Sequence, residues 1–376
     1  MSPRPSFDPG FSTEALTELY SPESVVASFL RFEETLALAL ADAGIAPQGE
    51  ADAVAAACRS GVADPEAVLA STWDEGTPVI ALRESVTSGL AEGSARWFHF
   101  GATTQDTIDT AQMIQARAAL AMLEDQLVVI ARRLRELTVE YRDQPQMGRT
   151  FLQDARPTTF GFRTATWLNA VVTHIGDVRR VGDDLLFQLG GPVGTLSLYG
   201  DAAADVLAAM GERLGLAPPD ISWHTDRSRV MELAQTVQRI AATMAKVGSD
   251  VALLASSAIA EIRVRSGGSS SMPEKRNPLD SLRAVAASRA CAGAVGMLAI
   301  GSGHELDRGT GGWHIEWLAL PLVFQTAGAA AEAISACLDS LDVDRSAMSA
   351  HTGPDGPDEN PIHIDRVLAA CDRILA

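Results

Sequence analysis

The chain has 376 residues and a formal net charge of −18, so it lacks the basic surface that nucleic acids and anionic membranes require. Apolar residues make up 47% of it and aromatic residues only 5%, so the core must be built from Ala, Leu and Val, which favours close-packed helices. The four cysteines are far apart and have no C-x-x-C spacing, which indicates neither a zinc site nor a disulfide framework.

A smaller helical N-terminal domain is predicted for residues 1–98, in which one helix places Phe29, Phe32, Leu36 and Leu40 on one face. The opening Met-Ser-Pro-Arg-Pro lacks the apolar stretch of a secretory signal. No segment is expected to reach the ~18 to 20 apolar residues of a membrane span. We therefore expect a soluble cytoplasmic protein.

Residues 99–110 read His-Phe-Gly-Ala-Thr-Thr-Gln-Asp-Thr-Ile-Asp-Thr and precede the first long helix. Thr103, Thr104 and Asp106 are good helix-capping residues, so the plain structural interpretation is a helix N-terminus. A helix N-terminus that carries hydroxyl groups is also suited to binding an anion. The two interpretations are compatible, and the segment is a candidate substrate site.

A bundle of long helices is predicted for residues 99–343, because two seams of apolar residues recur three and four positions apart. The first seam consists of Leu120, Leu123, Leu127, Ile130, Leu134, Leu137 and Tyr141, and the second of Val230, Leu233, Val237, Ile240, Met244, Val247, Val251 and Leu254. Three more long helices are expected at about 158–187, 279–300 and 313–340. Strand-like alternation is nearly absent, so the fold class is all-α. Such helices are more apolar than one small bundle can bury, and both seams are expected in the core of an obligate oligomer.

Residues 148–157, Gly-Arg-Thr-Phe-Leu-Gln-Asp-Ala-Arg-Pro, are expected to open the second long helix. Thr150 and Gln153 are candidate substrate ligands, and helix capping is the structural alternative for both. Two further polar segments follow at 188–195, Gln-Leu-Gly-Gly-Pro-Val-Gly-Thr, and at 223–229, Trp-His-Thr-Asp-Arg-Ser-Arg.

The most informative segment is 267–278, Gly-Gly-Ser-Ser-Ser-Met-Pro-Glu-Lys-Arg-Asn-Pro. It has no hydrophobic periodicity, yet helical patterns lie on both sides, so it is predicted to be a loop between two long helices. It combines hydroxyl groups on flexible backbone, whose N–H groups can face an anion, with a cation at Lys275.

The last motif, at 308–317, reads Arg-Gly-Thr-Gly-Gly-Trp-His-Ile-Glu-Trp. After about Val343 a turn-rich linker is predicted over 350–361, followed by one short amphipathic helix. Residues 344–376 are therefore expected to be a shortened C-terminal domain.

These motifs resemble those of the fumarase/aspartase superfamily, whose signature Gly-Ser-Ser-x-Met-Pro-x-Lys-x-Asn-Pro is matched at every fixed position from Gly268 to Pro278. Residues 99–106, 188–195, 223–229 and 308–317 resemble segments of one of its subgroups, the 3-carboxy-cis,cis-muconate cycloisomerases. The resemblance spans roughly residues 15–340. It implies a homotetramer in which five long helices per subunit form a twenty-helix core and each active site draws residues from three subunits.

The resemblance also implies roles for individual residues. Ser269 is implied to be the catalytic base, and Lys275 and Asn277 are implied to bind the substrate carboxylates. Lys275 is also the nearest cation in sequence to Ser269, so we expect it to take part in catalysis by stabilising the serine alkoxide. The implied substrate-binding residues are His99, Thr103, Thr104, Gln105, Arg149, Thr150, Gln153, Ser270, Met272, Asn277 and Arg308. No cofactor and no metal are implied, and the expected partner is a small anionic di- or tricarboxylate substrate.

Phe151 departs from part of the superfamily, because fumarases and adenylosuccinate lyases have a histidine there that takes part in acid–base work. A phenyl ring cannot transfer a proton. Expelling an amine or a hydroxide needs a proton donor, whereas a carboxylate, with a reference pKa of about 4, leaves as the anion. The cycloisomerases resembled here likewise have a large aromatic residue at this position.

The function expected from the sequence is therefore that of a cycloisomerase of this type, which adds a carboxylate to a double bond within one substrate or reverses that step by β-elimination. A β-eliminating lyase that acts on an amino-, nitro- or hydroxysuccinate is the alternative, because the signature alone does not fix the substituent. A non-catalytic structural homologue is the remote alternative, and the joint presence of Ser269, Lys275 and Asn277 argues against it.

Overall fold

A computed structural model describes residues 10–353, 356–357 and 360–376. The described N-terminal part is helical. Its helices are α1 (Glu14–Leu19), α2 (Pro22–Asp42), α3 (Gln48–Ser60), α4 (Pro65–Ala70), α5 (Thr72–Glu75), α6 (Pro78–Thr87) and α7 (Glu92–Ala95). Ser21 caps α2 by accepting a hydrogen bond from the Ser24 N–H, and Pro22 occupies the first turn, where its missing N–H costs nothing.

The predicted apolar face of the N-terminal helix is confirmed, because Phe29, Phe32, Leu36 and Leu40 are all buried on α2. The predicted lack of a secretory signal concerns residues 1–5, which lie outside the described residues.

Five long helices follow, as the sequence predicts, and the all-α class is confirmed. They are α8 (Thr104–Glu140), α9 (Phe160–Asp183), α11 (Ser228–Leu254), α12 (Leu279–Gly301) and α13 (Gly312–Asp339). Helix α10 (Ala203–Leu214) and a short 3₁₀ turn (Ser197–Ala202) lie between α9 and α11. Helix α8 has 37 residues and is therefore about 55 Å long.

Contacts between helix termini fix the direction of each long helix. Near the start of α8, Asp109 bonds Arg227 just before α11 and Trp313 at the start of α13. Near the end of α8, Arg133 donates to the carbonyl of Leu338 at the end of α13. Helices α8, α11 and α13 therefore run in parallel, and α9 and α12 run against them. We call the end at which α8 begins the α8-start end, and the opposite end the hairpin end.

The two apolar seams are buried within the single chain, except for the partly exposed Tyr141. They pack against α9, α12 and α13 of the same chain, and their place in a multi-subunit helical core stays a prediction. Large apolar side chains remain exposed elsewhere on the long helices. They include Val129 and Val139 on α8, Leu253 on α11, Leu279, Leu282 and Ile300 on α12, and Leu318 on α13.

Two helices, α12 and α13, are long and apolar enough by length and composition to cross a membrane. Neither helix is an unbroken stretch of apolar residues, since Arg289 interrupts α12 and Glu332 interrupts α13, but their many Ala residues raise the mean hydropathy. The apolar window of α13 is 67% buried inside the chain, as in the core helix of a soluble protein. That of α12 is only 39% buried, so α12 has an apolar face that its own chain does not cover.

Residues 148–157 do not open the second long helix as predicted. Strands β1 (Pro145–Thr150) and β2 (Gln153–Thr159) form an antiparallel hairpin here, and α9 begins after it with Thr159 as its cap. A second small sheet pairs β3 (Ile262–Arg263) with β4 (Asp342–Val343) at the same end of the bundle. Thr150 and Gln153 are therefore strand residues, which excludes the alternative that they cap a helix.

The C-terminal part contains one helix more than predicted. Helix α14 (Arg345–Thr352) is capped by Asp344, whose carboxylate accepts a hydrogen bond from the Ala347 N–H. The predicted linker over 350–361 therefore begins later, and its residues Pro354, Asp355, Asp358 and Glu359 lie outside the described residues. The predicted last helix is present as α15 (Ile362–Leu375), which packs on α9 and α8.

Candidate functional site

The signature loop, residues 267–278, is closed at its base by backbone pairing. Gly267 and Asn277 exchange two N–H to carbonyl hydrogen bonds of 3.0 and 3.1 Å. The Asn277 side chain donates a third bond, 3.1 Å long, to the carbonyl of Gly268. The base of the loop is therefore fixed, and its polar residues lie beyond that base at the hairpin end of the bundle.

Ser269 occupies a distinctive position in this loop. Its hydroxyl oxygen accepts hydrogen bonds from the backbone N–H groups of Ser271 (3.4 Å) and Met272 (3.2 Å). Two N–H donors directed at one oxygen stabilise negative charge on it, which is what a serine needs to act as a base. Ser270, Met272 and Lys275 are exposed around it.

The hairpin places Thr150 and Gln153 opposite each other, with Phe151 and Leu152 as its two-residue turn. Both turn residues have positive φ, 52° and 63°, in a region that bulky side chains rarely adopt. Phe151 is 99% exposed in the single chain. Packing within its own chain therefore does not account for this exposed phenyl ring on a strained turn.

Arg149 anchors this hairpin. Its guanidinium bonds the buried Glu261 at 2.6 Å and Asp154 at 3.1 Å. Although burial acts to raise the pKa of Glu261, hydrogen bonds from Arg149, His351 and Gln146 hold it below its usual value. Both carboxylate partners of Arg149 belong to its own chain, and its substrate-binding role stays a prediction.

At the α8-start end, Thr103 is the cap of α8. A capping box is formed, in which the Asp106 carboxylate also accepts the Thr103 N–H at 2.9 Å. Thr104 shares a 2.9 Å hydrogen bond with Thr77. Gln105 is fully buried and donates to Asp109 and to the carbonyl of residue 224. Thr103 and Thr104 are partly exposed, so of these three predicted ligands only Gln105 is enclosed by its own chain.

His99 lies just before this helix in a left-handed backbone conformation, with φ of 59°. Its Nδ1 lies 2.7 Å from the buried carboxylate of Glu33, which also accepts the Thr107 hydroxyl at 2.9 Å. Burial acts to lower the pKa of His99, but the Glu33 carboxylate raises it, and the net pKa is above the usual value. Glu33 therefore fixes the ring and favours the imidazolium.

His224 differs from His99 because both of its ring nitrogens are used inside the protein. Its Nε2 is 2.7 Å from Asp106, its Nδ1 is 3.0 Å from the Ser222 hydroxyl, and the side chain is only 4% exposed. The same Asp106 accepts the Gly191 N–H at 2.9 Å. His224 thus joins two loops to the start of α8 through its hydrogen bonds.

A buried ion cluster lies beneath these groups, and the sequence did not reveal it. Arg227 bonds both oxygens of Asp109 at 2.8 and 3.2 Å and both oxygens of Glu316, and it stacks on the ring of Trp223 at 4.9 Å. Trp313 donates to Asp109 at 2.9 Å. Burial raises the pKa of Glu316, and the contact with Arg227 opposes that rise. The motifs 223–229 and 308–317 therefore meet here, at Arg227 and Glu316.

Arg308 and His314 of the 308–317 motif also make contacts within the chain. Arg308 donates to the carbonyl of Pro192 at 3.1 Å and so ties the 308–317 motif to the turn at 188–195. His314 packs against Trp313 and Trp317 with ring centroids 5.4 and 4.7 Å apart. Within the described parts of the chain, no three His, Cys, Asp or Glu side chains lie close enough together to hold a metal ion.

The predicted site residues fall into two groups at opposite ends of the bundle. The α8-start end carries His99, Thr103, Thr104, Gln105 and Arg308, and the hairpin end carries Arg149, Thr150, Gln153, Ser269, Ser270, Met272, Lys275 and Asn277. The length of α8, about 55 Å, separates the two groups within one chain.

The protein has five long helices, a short hairpin before the second and a serine-rich loop before the fourth. This all-helical arrangement is typical of one class of enzyme. The family model described as "Lyase" matches residues 11–293. The chain belongs to this lyase family of the fumarase/aspartase superfamily, and the resemblance inferred from its motifs is confirmed.

Individual relatives agree with this assignment. The 3-carboxy-cis,cis-muconate cycloisomerase of Pseudomonas aeruginosa is 37% identical over 92% of this chain and 77% of its own length. The nitrosuccinate lyase of Streptomyces davaonensis is 32% identical over 93% of this chain and 76% of its own. The crystal structure of the 3-carboxy-cis,cis-muconate lactonizing enzyme of Pseudomonas putida superposes with a TM-score of 0.87 at 30% identity, covering 98% of this chain and 87% of that one.

Proposed function

We propose that the protein is a 3-carboxy-cis,cis-muconate cycloisomerase or an enzyme with a closely similar substrate. One observation carries the proposal: a serine hydroxyl stabilised by two N–H donors lies at the same end of the bundle as a hairpin that presents a phenyl ring and contains no histidine. That combination fits removal of a Cα proton with a leaving group that departs as an anion.

In the proposed reaction, one carboxylate oxygen of the substrate bonds to a carbon of a double bond. The electron pair of that bond moves toward a second carboxylate, which becomes an aci-carboxylate, and a proton is delivered to the carbon beside it. Ser269 delivers this proton, and it removes it in the reverse direction. Lys275 and the loop amides hold the growing negative charge. Asn277 already donates to Gly268, so we assign it the additional task of holding the loop in shape.

The predicted substrate-binding residues keep that role in this proposal, but some of them contact substrate and others mainly position their neighbours. His99 is favoured over His224 as the ring that meets substrate, because His224 has both nitrogens occupied and is buried. Thr103, Thr104 and Thr150 present partly or fully exposed hydroxyl groups. Gln105 and Arg149 act mainly by positioning, because each is bonded within its own chain.

We further propose a homotetramer whose sites combine residues of different chains. The support is physical: the two groups of site residues are about 55 Å apart in one chain, α12 has an uncovered apolar face, and Phe151 is fully exposed. In this assembly Phe151 supplies an apolar wall for another chain's substrate. A cytoplasmic location and the division into residues 1–98, 99–343 and 344–376 belong to the same proposal.

A second candidate is a β-eliminating lyase that acts on a substituted succinate. The similarity to a nitrosuccinate lyase favours it, and so does Phe151, because nitrite is also a weakly basic leaving group that needs no proton donor. An amino- or hydroxysuccinate fits this hairpin less well, since those leaving groups need a proton.

The experiment is a turnover panel of the purified protein with 3-carboxy-cis,cis-muconate, nitrosuccinate, aspartate, malate, argininosuccinate and adenylosuccinate. We expect the highest kcat/KM with 3-carboxy-cis,cis-muconate, and a loss of that activity in Ser269→Ala. A preference for nitrosuccinate would establish the second candidate instead. Efficient release of ammonia or water would contradict the leaving-group argument as a whole.

A further inference from the structure

A basic cavity of about 390 Å³ lies beside the hairpin, in the groove that the hairpin forms with α9 and α11. Four cationic side chains line it: Arg149 and Arg156 from the hairpin, Arg163 from α9 and Lys246 from α11. The hydroxyl-bearing Thr150 lines it as well. A concentration of four cations is unexpected in a chain whose net charge is −18.

Only some of these cations have carboxylate partners. Arg149 pairs with Glu261 and Asp154, and Lys246 pairs with Asp250. Arg163 instead donates to the neutral amide oxygen of Gln146 at 2.5 Å. Arg156 has no ion pair with any residue that the structure describes. Two guanidinium groups in the cavity thus form no direct ion pair with a carboxylate of the described residues.

An uncompensated guanidinium carries a cost when it is withdrawn from water. Arg163 is only partly exposed, and burial lowers its pKa even though Asp250 and Glu261 oppose that effect. A planar guanidinium with free N–H groups is suited to bidentate recognition of a carboxylate. The cavity is of the size that small ligands occupy, and an anion inside it would neutralise the unpaired charge.

We propose that this cavity, through Arg156, Arg163 and Lys246, binds a carboxylate group of the substrate other than the one held by the signature loop. The proposal rests on the proposed function, because it assigns a tricarboxylate to the same active site. Thr150 in the cavity wall connects the subsite to the hairpin residues predicted to contact substrate. In this account Arg156 and Lys246 determine specificity for a third carboxylate.

A binding experiment without turnover tests the subsite by itself. Propane-1,2,3-tricarboxylate and glutarate are titrated into the full-length protein, and binding is followed by calorimetry. Arg156→Met should weaken binding of the tricarboxylate by about tenfold or more, the effect of one charge-assisted pair, and leave glutarate binding unchanged. Lys246→Met should act in the same direction. Arg132→Met, which removes an exposed charge from α8 outside the cavity, is the matched control and should change neither.

Inorganic phosphate is titrated in parallel, because guanidinium groups bind phosphate and carboxylate alike. Phosphate binding that depends on Arg156 and exceeds that of the tricarboxylate would overturn the assignment to carboxylate. Equal weakening of tricarboxylate binding and glutarate binding, or no weakening of either, would overturn the proposed subsite.

Kinetics then separate the subsite from the proposed function. If the wild-type protein turns over 3-carboxy-cis,cis-muconate, Arg156→Met should raise KM about tenfold with little change in kcat. An unchanged KM would refute the subsite while the function stands. If the wild-type protein turns over no tricarboxylate, the proposed function fails, and the calorimetric result still decides whether the cavity binds the anion.

Discussion

The two ends of the bundle differ in how completely their charged groups are paired. At the α8-start end, Arg227, Asp109 and Glu316 are almost fully buried, and the guanidinium pairs with both carboxylates. At the hairpin end, Lys275 is exposed and Arg156 lacks a carboxylate partner among the described residues. A buried charge without a partner costs several kcal/mol, so the first arrangement is required by folding alone. The second has no such structural reason, and it leaves polar groups on one loop and one hairpin available to contact substrate.

Two motifs that combine Trp, His and Arg meet at the α8-start end. Arg227 of segment 223–229 pairs with Glu316 of segment 308–317, and Arg227 and Trp313 both bond Asp109 near the start of α8. We infer that these contacts hold the start of α8, with His99, Thr103 and Thr104, in one position.

The largest expected effect is at the hairpin end. Ser269→Ala should lower kcat by roughly 10²–10⁴-fold, the usual contribution of a positioned acid–base group, with little change in thermal stability. Ser271→Ala is the matched control, because only its backbone N–H bonds Ser269. If Ser271→Ala were inactive and Ser269→Ala active, a different serine of the loop would be the base.

At the α8-start end the largest effect should be on stability. Arg227→Met leaves Asp109 and Glu316 buried without their cation and should lower the free energy of unfolding by about 3–5 kcal/mol. The same change at Arg263, a 68% exposed residue that pairs with Asp342 and Asp344, should cost at most about 1 kcal/mol. Chemical denaturation of both variants measures the two losses in the free energy of unfolding. Equal losses would contradict the expected difference between the buried and the exposed arginine.

The two ends should also respond to pH in opposite directions. The folded pKa of His99 is raised above 6.5, so its pairing with Glu33 stabilises fully below that pH and less as pH rises through the folded pKa. The folded pKa of Glu261 is lowered below 4.5, so its bonds stabilise above that pH and are lost as pH falls through the folded pKa. Melting temperatures of His99→Gln and Glu261→Gln across pH should therefore approach wild type at high and low pH, respectively.

The smallest expected effect on folding is at Phe151, which makes little contact in its own chain. Phe151→His should leave subunit stability unchanged and should not improve the native reaction, because a carboxylate leaving group needs no proton there. A rise in kcat/KM would contradict the leaving-group argument, and His99 would then be the first residue to test as the wild-type donor.

The sequence predicted the five long helices and the motifs well, because helical periodicity and short polar signatures are local properties. It missed the hairpin, since Gln153–Thr159 carries charges and a proline instead of alternating apolar residues. Helix α14 was missed because eight residues give little periodicity. The sequence also did not predict which distant residues pair in space: Glu33 is 66 positions from His99, and Arg227 is 89 positions from Glu316. Such pairs are fixed by tertiary packing alone.

In the proposed assembly an active site needs the α8-start end of one chain and the hairpin end of another. The most direct test is to co-express differently tagged His99→Gln and Ser269→Ala chains and to purify mixed oligomers through both tags. We expect each parent to lose at least about 100-fold in activity and the mixed oligomers to regain a substantial part of it, because some sites then contain neither change. Mixed oligomers no more active than their parents, full activity of the His99→Gln parent, or an active monomer would contradict the claim.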